Sequence, residues 1–313
     1  MTFVPRRAPA IAAAILGAMP ASLAAPASAQ TAEPVDTVPR TAVISAFAPE
    51  WVLLQDALIE REDHVINGTT YVTGRMEGRE VVLFLSGVSM VNAAMTTQAA
   101  LDRFEIGEIV FSGIAGGLDP QLSIGDVTVP ERWAQYLEAV FARETEEGYA
   151  PPSFLSTPFP NHGMIFPREV EIAREGGEPE QHFWFEVDGA LLETAREVAE
   201  SVTLEDCAGG NECLTTAPTI RIGGSGVSGQ AFVDNADFRD YVFETFGAGV
   251  VDMESAAVAH VAYVNDVPFI AFRSLSDLAG GGAGENEMGT FMQLASDNSA
   301  KVVRAFLAAL PDR

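Results

Sequence analysis

Residues 249–262 read GVVDMESAAVAHVA, and their interpretation decides the fold. An apolar, strand-like run meets an acid, a methionine and a second acid. An alternation of alanine and valine at helical spacing follows at once. Acids favour the positive end of a helix dipole, so Glu254 reads as a helix start. The same position is also the carboxyl edge of a strand, where open α/β sheets bind ligands.

The flanks repeat the pattern. NADFRDYVFETF (235–246) is helical, and VPFIAFRSLSD (267–277) is a buried strand ending in an acid. Upstream, TAVISAFA (41–48) reads as a strand and PEWVLLQDALIE (49–60) as a helix with Pro49 in its first turn. TTYVTGRMEGREVVLFLSG (69–87) resembles a strand pair, and MVNAAMTTQAALDRF (90–104) is helical. EIVFSGIAGGL (108–118) is a buried strand running into glycines, which read either as part of a site or as a tight strand–helix turn. IGDVTVPERWAQYLEAVFA (124–142) is strand-rich, and TAPTIRIGGSGVSG (216–229) is a strand entering glycines. VDGALLETAREVAESV (187–202) is a helix led by Asp188, and residues 286–310 form a long terminal helix. This alternation predicts an α/β fold, a three-layer αβα arrangement around a mixed, mostly parallel sheet.

Residues 144–182 break the pattern. They are rich in Pro, Gly and Glu and lack periodicity, so they read as an insertion in the domain at 41–313. Arg6 and Arg7 precede an apolar stretch and the small residues Ala27 and Ala29, which predicts a signal peptide at 1–29 and a periplasmic or secreted protein. Pro9, Pro20 and Pro26 interrupt that stretch, which disfavours an uncleaved anchor. Residues 30–40 read as a disordered lead-in. No membrane association is expected after cleavage.

The formal net charge is −26, from 18 basic and 44 acidic residues, and Lys301 is the one lysine. Such a field repels nucleic acid and anionic membranes. A neutral or cationic small molecule fits better. Cys207 and Cys213, in CAGGNEC, are expected to close a small disulfide loop in an exported protein. The competing metal site would want histidines nearby, and the four in the chain are scattered. No metal and no cofactor is expected.

Three acids stand at strand ends: Glu50, Glu254 and Asp277. Any one of them reads most simply as a helix cap. Together they fit one rim of a parallel sheet and one pocket. Carboxyls without a metal or a catalytic cysteine suit glycosidic cleavage, with one acid protonating the leaving group and one base activating water.

The blocks SGVSMVNAAMTTQAALDRF (86–104), SGIAGGLDPQLSIGDVTVP (112–130), VSGQAFVDN (227–235) and VVDMESAAVAHVAYVNDVPFIAFRSLSD (250–277) carry a resemblance. In content and order they resemble the nucleoside phosphorylase and nucleosidase superfamily, most of all its methylthioadenosine/S-adenosylhomocysteine nucleosidases. The resemblance implies a nucleoside phosphorylase-like fold, hydrolysis of a purine nucleoside and a homodimer in which a neighbour completes the pocket.

It also implies roles. Asp277 would protonate N7 of the purine, oriented by Ser276, and Glu50 would activate water. Glu254 would bind ribose hydroxyls and Met253 would pack on the sugar. Phe232 would stack on the base, with Val233 reading its edge. Ser86 and Arg273 would lie near the water or, in phosphorolytic relatives, near phosphate. Bland alternatives stand beside these: Phe232 as core, Met253 as a gap-filler, Arg273 as a structural partner for an acid. Asp252 supports the turn and is given no catalytic task. The sequence departs from the family at Gln230, where the family's SGDAF has an acid, and at the 144–182 insertion, which is expected to form or remodel a lid.

Water is favoured over phosphate because Glu50 would repel an anion and basic residues are scarce. The alternatives are a purine nucleoside phosphorylase and a non-catalytic exported nucleoside-binding or transport-associated protein.

Overall fold

The computed structural model describes residues 33–208 and 212–311. The expected signal peptide lies outside the described residues. Part of the lead-in is tied down: Val35 N–H donates to the Arg103 carbonyl, and Arg40 pairs with Asp36 at 2.6 Å.

The chain opens with β1 (Arg40–Ser45), α1 (Ala48–Ala57), β2 (Ile59–Ile66), β3 (Thr69–Met76), β4 (Arg79–Leu85), α2 (Met90–Arg103) and β5 (Ile106–Gly117). Short strands follow: β6 (Val127–Val129), β7 (Arg132–Gln135), β8 (Ala139–Phe141), β9 (Arg143–Thr145), β10 (Gly148–Ala150), β11 (Ile165–Pro167), β12 (Val170–Ile172), β13 (Glu180–His182) and β14 (Trp184–Glu186). The remainder is α3 (Gly189–Ala199), β15 (Ile220–Ile222), β16 (Ser225–Ser228), α4 (Ala236–Phe246), β17 (Ala248–Asp252), α5 (Ser255–Val264), β18 (Phe269–Asp277) and α6 (Met288–Ala309).

Among the described residues, twelve strands join one mixed sheet with the path β14-β7-β16-β17-β5-β1-β4-β3-β2, and β18 pairs with both β5 and β6. The strands that matter for the site run together. β1 is parallel to β4 and β5, β18 is parallel to β5, and β16 is parallel to β17. β17 meets the far end of β5 antiparallel, at Val251↔Gly116. The carboxyl ends of β1, β4, β16, β17 and β18 therefore gather around the second half of β5.

Two helical layers cover the sheet. Phe272 packs on Phe306 of α6, while the next residue, Arg273, reaches Ser255 of α5. Successive strand residues point to opposite faces, so α6 and α5 lie on opposite sides of β18. Between them, β1 and β18 are buried along their whole length, and β18 reads as a continuous buried run. Val43, Ile44, Leu83, Phe84, Val110, Phe111 and Ile270 are all at 0% exposure and form the centre of the core.

Three expectations need correction. The helix from Pro49 ends at Ala57, and Ile59–Ile66 is an edge strand. Its charged sequence, IEREDHVI, pairs on one side only and faces solvent, so it carries no apolar alternation to read. The glycines at 113–117 are not a strand–helix turn: they are the second half of the long strand β5. Finally, residues 144–182 hold regular structure. β9 pairs with β10, β11 with β8, and β12 with β13, all antiparallel. Phe159 packs on Phe183 and Phe246, and the His162 ring sits 5.0 Å from Tyr241. Those contacts hold the insertion against α4.

The expected disulfide is present between Cys207 and Cys213. No helix of the described residues is long and apolar enough to cross a membrane.

Candidate active site

A cavity of about 220 Å³ opens where the strand ends gather. Glu50, Phe232, Val233, Met253, Glu254, Ser276 and Asp277 all line it, together with Phe47, Val88, Ile114, Gly116, Asp252 and Met288. Seven of the nine expected catalytic and substrate-binding residues are thus brought to one space. Residues 144–182 contribute none of its lining. Gln230 lines a different groove, beside Gln135 and His260.

Glu50 lies in the first turn of α1. Its Oε2 accepts from Ala46 N–H at 2.6 Å and Phe47 N–H at 3.3 Å, and its Oε1 accepts from Ile114 N–H at 2.8 Å. Burial pushes its pKa upward, while the Arg273 charge and the three amides pull it back. The result is a carboxylate held in place by donors and more basic than an exposed one.

Asp277 ends β18 at a bulge. Leu275 pairs with Ala115 and Asp277 with Gly116, leaving Ser276 as the extra residue. Bulges re-aim side chains. Here the extra residue lets Ser276 and Asp277 face the same cavity, and Ser276 Oγ donates to Asp277 Oδ2 at 2.9 Å. Ala279 N–H and Asn286 Nδ2 donate to Oδ1 at 2.8 and 3.3 Å. Burial raises the Asp277 pKa, and these donors oppose the rise.

The opening motif resolves into a division of labour. Asp252 is the anion at the start of α5: its Oδ1 accepts from Glu254 N–H and Ser255 N–H, both at 3.1 Å. Ser228 Oγ donates to the same carboxylate and accepts from Ala256 N–H. Glu254, expected to cap the helix as well, makes no side-chain cap. Its Oε1 instead accepts from Ser89 N–H at 2.7 Å. Burial and the neighbouring Asp252 raise its pKa, against the pull of Arg273 and the Ser89 amide.

Ser86 and Arg273 do not line the cavity. Ser86 Oγ donates to the Gly87 carbonyl. Arg273 is fully buried on the α5 side of β18, with its guanidinium over the Phe111 ring at 4.1 Å. It stands 2.8 Å from Asp252, 3.8 Å from Glu50 and 3.9 Å from Glu254. One cation thus stands among three buried carboxylates. Phe232 goes the other way: it is 56% exposed and cannot be core. Among the described residues, the cavity lining contains no lysine, arginine or histidine.

The sequence reading missed Asn286, Gly113 and the pairing of Asp252 with Arg273. Gly113 leaves the space in which Arg273 Nη1 and Glu50 Oε1 sit, since a Cβ there would fall 2.0 and 2.6 Å from them. A glycine inside a buried strand is a known sign of close approach and was the available signal. Nothing in a glycine-rich stretch singles out one asparagine.

Fold and site together define an α/β protein with a carboxylate-lined small-molecule cavity at its strand ends. The family model described as the phosphorylase superfamily matches residues 13–308, and the chain belongs to that superfamily. Within it, the chain is 28% identical over 272 residues to a 5′-methylthioadenosine/S-adenosylhomocysteine nucleosidase of Mycobacterium tuberculosis, covering 86% of this chain and 96% of the relative. It is 29% identical over 275 residues to the protein of that name from Geobacillus thermodenitrificans, covering 88% and 98%. Among solved structures, it resembles the nucleosidase of the same name from Neisseria meningitidis in complex with methylthio-immucillin-A. That likeness has a TM-score of 0.65 and 26% identity, over 87% of this chain and 99% of the other.

Proposed function

We propose that this protein hydrolyses the N-glycosidic bond of a purine nucleoside of the methylthioadenosine or S-adenosylhomocysteine kind. The carrying observation is that Asp277 and Glu50, both buried and both raised in pKa, line one cavity together with the exposed ring of Phe232. The names of the relatives support the substrate class.

In this reading Phe232 stacks on the base and the Val233 backbone reads its edge. Glu254 accepts hydrogen bonds from the ribose hydroxyls while Met253 packs on the sugar. Asp277 gives its proton to N7, which turns a poor leaving anion into a neutral base. The C1′–N9 electron pair leaves with the base. Water adds to C1′ and loses a proton to Glu50. Arg273 acts from behind, moderating three carboxylates without touching substrate. Phe47, Val88 and Met288 supply apolar lining that suits an uncharged thioether at the 5′ position.

Phosphate is disfavoured as nucleophile. It needs a cationic or donor-rich cradle, and the lining has acids where that cradle would be. A second copy of the chain would cover the start of α2, where Val91 and Met95 of α2 are 66% and 53% exposed and Val88, just before it, is 45% exposed. Export follows from the expected signal peptide and is supported by the disulfide.

The test is base release from methylthioadenosine, S-adenosylhomocysteine, adenosine and inosine, with and without phosphate. Adenine and a free sugar without phosphate are expected. Strict phosphate dependence refutes hydrolysis, and tight nucleoside binding without turnover refutes an enzyme altogether.

A further inference from the structure

The two oxygens of Asp277 stand in different surroundings. Oδ1 accepts from Ala279 N–H at 2.8 Å and from Asn286 Nδ2 at 3.3 Å. A backbone amide can only donate. The Asn286 amide is fixed in the same sense by two further contacts. Its Oδ1 accepts from Met288 N–H at 3.0 Å, at the start of α6, and its Nδ2 also donates to Asp234 Oδ1 at 3.0 Å. Flipping the amide would break all three bonds. Among the described residues Oδ2 is bonded by Ser276 Oγ, at 2.9 Å, and a hydroxyl rotates to donate or accept.

A proton on Oδ1 would point at N–H groups. A proton on Oδ2 meets a group that can turn to receive it. We propose that Asn286 is a positioning residue for the acid: clamped by Met288 and Asp234, it donates to Asp277 Oδ1 and so confines the transferable proton to Oδ2. The proposal rests on the assignment of Asp277 as the general acid. When Oδ2–H passes to N7 and the C1′–N9 pair moves onto the base, the carboxylate left behind keeps its donors. Asn286 then strengthens its hold, because a bond to a charged acceptor is worth more than one to a neutral acceptor.

The clamp also joins parts of the site that are distant in sequence. Asp234 follows the Phe232–Val233 segment, and Asn235 N–H donates to the Ala279 carbonyl just beyond the acid. Gly280 packs so closely there that a Cβ would fall 2.4 Å from Asn235 N. The segment that holds the base and the acid that protonates it are thereby kept in register.

The charged groups around Asp277 are few. Glu287, at the start of α6, raises its pKa, and Asp234 stands behind the Asn286 amide. Across the cavity lie Glu50, Asp252 and Glu254, with Arg273 among them.

Two variants of the full chain test the proposal. Asn286→Asp keeps an oxygen for Met288 N–H but replaces the donor with a carboxylate. Asn286→Ala removes both. With methylthioadenosine as substrate, kcat should fall about 10- to 100-fold, the loss expected for one hydrogen bond to a charged group, while KM changes by less than about threefold. The alkaline limb of kcat/KM should move to higher pH in Asn286→Ala and further in Asn286→Asp, because each change disfavours the Asp277 carboxylate. The thermal midpoint of Asn286→Asp should fall at neutral pH, where the new carboxylate stands beside Asp234 and Asp277, and should recover toward wild type as pH falls. An alkaline limb unmoved in Asn286→Asp overturns the proposal, as does a loss carried by KM and the thermal midpoint alone.

A second readout separates this from the function itself. The infrared band of the protonated Asp277 carboxyl, identified by its absence in Asp277→Asn, titrates without turnover. It should persist to higher pH in Asn286→Asp. If wild type releases no base, the functional reading fails. If the band titrates identically in both proteins, the Asn286 assignment fails, whether or not base is released.

Discussion

At the residue scale, Gly113 carries more of the site than its size suggests. Arg273 Nη1 and Glu50 Oε1 occupy the space a side chain would take. Gly113→Ala must displace a buried guanidinium, a buried carboxylate or strand β5. Overpacking of this kind costs about 1–3 kcal/mol. We expect that loss in urea denaturation, together with a large fall in base release as Glu50 moves. Gly249→Ala is the control, because its Cβ meets nothing nearer than 3.6 Å. Equal stability and activity in the two variants would refute the packing account. The contrast shows how far the sequence reached at this scale. Glu50, Glu254 and Asp277 were legible because each is an acid at or shortly after the end of a strand. The burial of Arg273 was not legible, because its environment is made by β5 and β17, far away in sequence. Asp252 was undervalued because one carboxylate both starts α5 and pairs with Arg273, and local pattern exposes only the first task.

Elements were legible where local signals agreed with tertiary need. Asp188 starts α3 as expected, accepting from Ala190 and Leu191 N–H. Gly247, in the left-handed region at φ 61°, ends α4. β2 escaped because an edge strand without an apolar face has no period to detect. The hairpins of 144–182 escaped because strands of three residues are shorter than any periodic window, and aromatic docking on α4 holds them. The disulfide segment combines both situations. Cysteine spacing revealed the bridge, but not its anchorage: Asn298 of α6 bonds both Glu205 N–H and the Glu205 carbonyl, and Lys301 pairs with Glu205 at 2.7 Å. That anchorage does not depend on the sulfurs. Replacing Cys207 and Cys213 by serine should therefore cost about 2 kcal/mol, the chain-entropy value for so short a loop, and leave kcat/KM unchanged. Asn298 lies ten residues along α6 from the cavity-lining Met288, about 15 Å of helix. Denaturation midpoints with and without reductant measure the first effect, and base release measures the second. Activity lost while the protein remains folded would tie the loop to the site and contradict this separation.

For the whole molecule, the excess of 44 acidic over 18 basic residues sets the response to pH and salt. Self-repulsion opposes compaction. Buried Glu50, Glu254 and Asp277 act in the same direction, because burial raises all three pKa values. A group with a raised folded pKa binds more protons folded than unfolded. Its stabilising contribution is complete below the unfolded pKa and is lost as pH rises through the folded one. The exposed pair Glu205–Lys301 has the opposite sign, since Lys301 lowers the Glu205 pKa and the benefit is lost only in acid. Between pH 8 and pH 6 Glu254, pushed up to about 8, and the net charge therefore act together, against His260, whose imidazole is held below its ordinary value by burial. The thermal midpoint should rise as pH falls through that window. Each unit of upward shift that titrates there contributes about 1.4 kcal/mol, or about 2–4 °C for a chain of this size. Added salt at pH 8 should also raise the midpoint by screening the surface charges, yet it should not reproduce the full effect of acid, because buried carboxylates are poorly screened. Scanning calorimetry at pH 6 and 8, each at low and high salt, separates the two. A midpoint that is flat or falling toward pH 6 would mean that the site's acids are matched by their donors and Arg273. Full recovery by salt alone would place the whole effect on the surface.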